Sequence, residues 1–219
     1  MVMLAGIITN FSQAKLAKSQ GADILELRLD LVKKNNLAYT PHLLKKIKKQ
    51  LKLPVILTIR KKSEGGNYSG PDSGRTELFF RLLPLSDYID LEITSLNSFK
   101  KVISLAKKHN NKLILSYHDF KKTPADSQLQ ALFDRAANHG PFITKFACFN
   151  RNLSDLSRLL VFCKTRSKSA KISVIPMGKY SQPGRVICAL LGSYLTYGFV
   201  EAPVVSSQLS LKQLKLLLK

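Results

Sequence analysis

The chain has 219 residues, 35 Lys and Arg against 14 Asp and Glu, a formal net charge of +21 and a sequence pI near 10.0. With 45% hydrophobic residues, 22% charged residues and a mean hydropathy of −0.03, it holds enough apolar material for one well-filled core, which excludes a disordered basic tail or a low-complexity chain. The longest apolar run, Val186 to Val200, is broken by Gly192, Ser193, Thr196 and Gly198, so no stretch has the roughly 18 uninterrupted apolar residues of a membrane span.

In chain order, Met1 to Ile8 lacks a basic leader and passes straight into an amphipathic segment, so it is expected to form a first strand rather than a signal peptide. Short β-branched and apolar runs then alternate with segments of helical periodicity. The strands predicted are Leu4–Thr9, Ile24–Asp30, Val55–Arg60, Tyr88–Ile93, Lys112–Tyr117, Ile143–Ala147, Lys171–Met177 and Thr196–Val200. Between them, Ser12 and Asn152 are placed as helix N-caps, and Thr123-Pro124 as an N-cap followed by proline in the first turn. About eight strand-helix units without a linker or repeat predict one compact (β/α)8 barrel domain over residues 1–219, rather than a doubly wound sheet. Cys148, Cys163 and Cys188 have no paired metal spacing and suit isolated thiols of the cytoplasm.

The positive charge is dispersed. Lys45, Lys46, Lys48, Lys49 and Lys52 share one amphipathic segment, Lys100, Lys101, Lys107 and Lys108 another, and Lys164, Arg166, Lys168 and Lys171 a third. These read as solvated helix faces, and no base-stacking aromatic pattern accompanies them, so nucleic acid is not the expected partner.

Chemistry in a barrel gathers at the C-terminal strand ends, and there the sequence departs from apolar alternation. Glu26, Arg28 and Asp30 alternate along strand two, as substrate contacts or as a structural ion network. Arg60 ends strand three before Lys61-Lys62-Ser63-Glu64-Gly65-Gly66; a guanidinium suits a carboxylate ligand, while the glycine pair alone reads as a flexible turn. Strand five ends in Ser116-Tyr117-His118-Asp119-Phe120 and brings a histidine to the mouth, whereas His42, His109 and His139 fall in helices or at their ends. Strand six holds one lysine, Lys145, inside Phe142-Ile143-Thr144-Lys145-Phe146-Ala147. A buried ammonium must snorkel, pair with Glu26 or Asp30, or lose its proton and become the amine of Schiff-base chemistry.

Glu26-Leu27-Arg28-Leu29-Asp30, Thr58-Ile59-Arg60 with Glu64-Gly65-Gly66, Asp90-Leu91-Glu92, Ser116-Tyr117-His118-Asp119-Phe120 and the following Lys145 together resemble type I 3-dehydroquinate dehydratase across nearly the whole chain. The resemblance implies a (β/α)8 barrel, commonly a homodimer, that dehydrates 3-dehydroquinate to 3-dehydroshikimate in the shikimate pathway without cofactor or metal. It implies that Lys145 forms the imine, His118 acts as general acid and base and Glu64 supports it. Glu26, Arg28 and Arg60 match its substrate-binding positions; Met177 and Arg185 match the spacing of a mobile loop whose arginine grips the substrate carboxylate, Tyr197 an aromatic position and Gln208 a binding glutamine. Two departures are visible: Gly184, not serine, precedes Arg185, and Val205-Ser206-Ser207-Gln208 replaces an Ala-Pro-Gly-Gln segment. Some relatives are fused to a shikimate dehydrogenase. Another class I Schiff-base lyase or aldolase would use the same lysine, and a basic nucleic-acid-binding protein would account for the charge alone.

Overall fold

The computed structural model describes residues 2–203 and 208–219, apart from the side chains of residues 34–36. Eight parallel strands alternate with eight helices among these residues: β1 Met3–Ile8, α1 Phe11–Ser19, β2 Ile24–Arg28, α2 Thr40–Gln50, β3 Val55–Thr58, α3 Asp72–Leu82, β4 Tyr88–Glu92, α4 Lys100–Lys108, β5 Lys112–Asp119, α5 Asp126–Ala137, β6 Ile143–Asn150, α6 Leu153–Arg166, β7 Ile172–Gly178, α7 Ser181–Leu190, β8 Leu195–Gly198 and α8 Leu211–Leu218.

β1 to β7 each pair in register with their sequence neighbours and β8 pairs with β1, in the order β7-β6-β5-β4-β3-β2-β1-β8. The seam between β7 and β8 is closed by single bonds instead of a regular ladder. The Tyr194 N–H donates to the Ile172 carbonyl at 2.7 Å, and the Ser173 hydroxyl to the Leu195 carbonyl at 2.6 Å. The result is the expected (β/α)8 barrel, here nearly closed.

Side chains alternate across each strand. Leu25, Leu27, Leu57, Leu91, Leu115, Phe146 and Val174 join the core between barrel and helices, while Ala5, Ile24, Ile56, Ile114, Ile143 and Leu195 fill the barrel interior. The same alternation carries Glu26, Arg28, Asp90 and Lys145 inward near the C-terminal ends, because each sits an even number of residues along its strand from an interior isoleucine or tyrosine.

Several boundaries differ from the sequence reading. β2 stops at Arg28 and the chain turns through a short 3-10 segment, Leu29–Leu31, so Asp30 leaves the strand face. β3 stops at Thr58, and Arg60 follows it. β6 runs on to Asn150, and β8 covers Leu195–Gly198. Asn152 caps α6 as expected, accepting from the Asp155 N–H at 2.9 Å. The cap of α1 is Asn10, not Ser12, and accepts from the Gln13 N–H. Thr123 caps nothing: α5 begins after Ala125, and the Thr123 hydroxyl is turned inward onto the Phe149 carbonyl and Asn150 Oδ1. Residues 204–207, which include the altered Val205-Ser206-Ser207 stretch, lie outside the described residues.

The helices return antiparallel to the strands, so their C-termini ring the end of the barrel remote from the mouth. Lys18, Lys48, Lys49, Lys107, Lys108, Lys164, Arg166 and Lys215 occupy last turns, where cations complement the helix dipole. Much of the excess positive charge is therefore carried away from the strand ends that hold the site. All three cysteines are buried free thiols.

Phe146 is fully buried between barrel and helices, with the Phe162 ring edge-on at 5.0 Å and the Tyr117 ring at 6.4 Å. Phe146→Ala should lower unfolding stability by about 3–5 kcal/mol in urea titrations; a loss under about 1 kcal/mol would mean that this packing does not stabilise β6.

Candidate active site

The ten residues singled out in the sequence, Glu26, Arg28, Arg60, Glu64, His118, Lys145, Met177, Arg185, Tyr197 and Gln208, line one cavity of about 130 Å³ at the mouth. They arrive from β2, β5, β6, β7, β8, α7 and the turns after β3 and β8. Convergence from so many elements is what a barrel mouth provides.

Lys145 sits one pleat above the apolar layer, with only 5% of its side chain exposed. Its Nζ donates to Asp90 Oδ2 at 3.0 Å, lies 3.6 Å from Glu26 Oε1 and stands 4.3 Å from the Tyr197 ring centroid. The pairing expected with Glu26 is present; Asp90, not Asp30, is the second carboxylate. Asp30 instead fastens the ends of two strands. It accepts from Arg28 Nε and Nη2 at 3.0 and 2.8 Å and from the backbone N–H groups of Arg60 and Asn67.

Asp90 is the hub. Its Oδ1 accepts from Arg60 Nη2 at 2.7 Å and the Ser116 hydroxyl at 2.5 Å, while its Oδ2 takes the lysine. Burial alone would raise its carboxyl, but the Arg60 and Lys145 cations reverse that and hold it well below the usual carboxylate range. Arg60 Nη1 also lies 3.2 Å from Glu92 Oε1, and the neighbouring Glu26 accepts from the Thr58 hydroxyl at 2.9 Å.

His118 is placed by Glu64. Glu64 Oε2 is 3.1 Å from His118 Nδ1 and accepts from the His118 backbone N–H at 3.2 Å, and Oε1 accepts from the Thr94 hydroxyl at 2.5 Å. Burial, then the Arg60 and Lys145 charges, push the imidazole well below 6.5, so it is neutral at pH 7 and its contact with Glu64 is a hydrogen bond rather than an ion pair. A neutral ring that donates from Nδ1 to a carboxylate keeps its lone pair on Nε2. The glycine pair after Glu64 is more than a flexible turn. Gly65 has a φ of +76°, a Cβ there would strike the Phe120 ring, and one on Gly66 would strike the Arg60 carbonyl; both absences let Glu64 tuck under His118.

Met177 lies on β7 and Arg185 in the second turn of α7, so neither belongs to a loop, correcting the expectation from spacing. Arg185 is 4% exposed and donates to the carbonyls of Pro176 at 3.3 Å and Tyr197 at 3.0 Å. Among the described residues it has no carboxylate within ion-pair distance, unlike Arg28, Arg60 and Lys145. Burial lowers its guanidinium to about 10, still charged at neutral pH. Gln208 is buried at the start of the last segment, its Nε2 3.5 Å from the Tyr197 carbonyl. The buried Tyr197 hydroxyl has no partner among the described residues, a donor that a ligand or water would satisfy.

Sequence reasoning misses Asp90, Glu92, Thr58, Thr94 and Ser116 as site residues. Asp90 and Glu92 do carry a signal, since they alternate on β4 as Glu26 and Arg28 do on β2. Among the described residues no group of His, Cys, Asp or Glu is arranged to hold a metal ion, and no helix is long and apolar enough to cross a membrane.

A buried amine, a neutral imidazole and a guanidinium without a counter-carboxylate among the described residues thus share one barrel mouth. Residues 2–219 match the family model of type I 3-dehydroquinase. The 3-dehydroquinate dehydratase of Hydrogenobaculum sp. is 35% identical over 94% of this chain and 91% of its own, and that of Methanocella arvoryzae 34% identical over the same shares. The crystal structure of the Aquifex aeolicus enzyme superposes with a TM-score of 0.86 at 33% identity, covering 99% of this chain and 97% of that one. A type I enzyme from Clostridium difficile with covalent modified comenic acid gives a TM-score of 0.91 at 25% identity, covering 99% and 91%. The chain belongs to the type I 3-dehydroquinase family, hydro-lyases of the shikimate pathway that dehydrate 3-dehydroquinate. Aldol cleavage is thereby displaced as the account of its activity.

The depressed imidazole has a stability consequence. As pH falls below 6.5 the unfolded chain binds a proton at His118 that the native site refuses, so this group's contribution weakens stability on acidification. The His118 ring signals in an NMR titration should keep their neutral positions well below pH 6.5; protonation at or above 6.5 would contradict the site electrostatics.

Proposed function

We propose that the dehydration runs through a Schiff base on Lys145, with His118 as general acid and base. The observation that carries this reading is the placement of a single buried amine, held by Asp90 and Glu26, in the same cavity as a histidine that is neutral at pH 7. The covalent modified comenic acid of the Clostridium difficile relative also supports it.

In this reading the Lys145 ammonium gives up one proton, its freed nitrogen attacks the substrate ketone, and that proton leaves with the carbinolamine oxygen as water, so that an iminium remains and draws electrons from the adjacent carbon. His118 Nε2 takes the proton from that carbon, giving an enamine. The enamine expels the β-hydroxyl, to which His118 returns the proton, so a second water leaves and the ring is neutral again. Water then adds to the conjugated iminium, the carbon-nitrogen bond breaks, and 3-dehydroshikimate departs with the lysine restored. Glu64 keeps the imidazole in one tautomer throughout, and Asp90 faces the nitrogen wherever it is positively charged.

Arg185 takes the substrate carboxylate, the anion that this buried guanidinium otherwise lacks, and Arg28 and Arg60 help orient the hydroxylated ring. Met177, Tyr197 and Gln208 complete the binding wall. A cytoplasmic homodimer is part of the same reading. The exposed Val161 on α6 and Ile187 and Leu190 on α7 support self-association, and light scattering should return twice the 24.5 kDa chain mass.

Lys145→Ala should abolish turnover, and His118→Ala should lower kcat by roughly 10²- to 10⁴-fold. Arg185→Ala should raise KM by about 10- to 100-fold and change kcat less, the size expected for a lost charge-assisted bond. Steady-state rates decide: normal turnover in the lysine variant would end the Schiff-base reading, and an unchanged KM in the arginine variant would place the carboxylate elsewhere.

A further inference from the structure

Arg75 lies outside the barrel wall, in the first turns of α3, and is fully buried. A guanidinium withdrawn from water is costly unless every edge is engaged, and here it is. Nε and Nη2 donate to Asp72 Oδ1 at 3.1 and 2.9 Å, Nη2 reaches Ser95 Oγ at 3.4 Å, and the plane lies 4.6 Å from the Phe99 ring centroid. Nη1 donates to the Ile59 carbonyl at 2.9 Å and stands 2.8 Å from both oxygens of Glu92.

Glu92, at the end of β4, is the link to the site. Besides Arg75 it accepts from the Lys61 backbone N–H at 3.2 Å and lies 3.2 Å from Arg60 Nη1. Arg60 is the cation shared between Glu92 on one side and Asp90 and Ser116 on the other. Asp90 in turn holds Lys145. A continuous line of alternating charge therefore runs from Asp72 and Arg75 on the outer helix through Glu92, Arg60 and Asp90 to the reactive amine.

The geometry points to Arg75 as a positioning residue for the dehydration: by satisfying Glu92 from outside the barrel, it leaves Arg60 engaged with Asp90 and keeps the cation in its place beside His118. Without Arg75, Glu92 is a buried carboxylate whose nearest cation is Arg60. A guanidinium and a carboxylate favour a two-pronged pairing, so Arg60 would turn toward Glu92 and loosen its bonds to Asp90 and Ser116. His118 would then feel less of the Arg60 charge that helps to keep it neutral. The other groups around that ring, namely Glu64 after β3, Arg28 on β2, Asp90 on β4, Lys145 on β6 and Arg185 across the cavity, stay where they are.

This inference rests on His118 as the general base, and the test separates the two. The acid limb of kcat/KM against pH is measured for the wild type, Arg75→Met, Arg75→Lys, Arg75→Met with Glu92→Gln, and His118→Ala. Arg75→Met should move the limb upward by about half a pH unit or more, because neutral His118 is needed and its depression is partly relieved. The double variant should bring the limb back toward the wild-type position, since the uncharged amide that replaces the Glu92 carboxylate no longer draws Arg60. Arg75→Lys, which keeps the charge and loses the fork, should show a smaller upward shift and decides the matter if Arg75→Met does not fold. A purely structural arginine would lower Tm and the amount of active enzyme without moving the limb. An unmoved limb in a folded Arg75 variant overturns the inference while leaving the base assignment intact; a wild-type limb retained in His118→Ala overturns both.

Discussion

A lysine ammonium inside a barrel must be given counter-charge in place of water, and the arrangement of the mouth follows from that requirement. Asp90 and Glu26 flank Lys145 from two strands, but a carboxylate as buried as Asp90 is itself unstable without cations. Arg60 supplies one, Ser116 supplies a hydroxyl, and Glu92 stands at the far side of Arg60. Burial and the same positive charges that stabilise Asp90 keep His118 from being protonated, so one electrostatic arrangement acts on both the amine and the imidazole.

Set against this paired interior, Arg185 is the exception. Its buried guanidinium donates to carbonyl oxygens and has no carboxylate within ion-pair distance among the described residues, which is why the proposed reading gives it the substrate carboxylate. Binding energy gained there, away from the ketone, can fix the ring of the substrate relative to the lysine and the histidine. The chain's overall charge of +21 has a different origin, in lysines at helix C-termini and on outer helix faces. Its long-range field favours the approach of a carboxylate without entering the chemistry.

Much of the site is legible in the sequence because charged residues interrupt apolar strands: Lys145 in β6, His118 at the end of β5, and Glu26 and Arg28 on β2 each break a pattern that a barrel interior otherwise enforces. Which carboxylate meets which cation is not legible, because pairing across the barrel depends on strand stagger and the sequence carries only the alternation. Asp30 illustrates the point. Its spacing puts it on the strand face, yet the chain turns at Leu29 and spends Asp30 on joining β2 to β3. Only the resemblance places Arg185 in a loop; in the structure proline and glycine are accommodated in the first turns of α7, with Gly184 packed closely on Pro176 and Leu156. Arg75 gives no signal at all, because an arginine on an amphipathic helix reads as a solvent contact until the fold buries it.

The covalent step is tested most directly by incubating the wild-type enzyme with 3-dehydroquinate and borohydride and mapping the added mass by peptide mass spectrometry. A reduced adduct confined to the peptide that contains Lys145 is the predicted result. Product formation without any trapped adduct, or an adduct on a different lysine, would contradict the assignment of Lys145 as the amine around which the mouth is built.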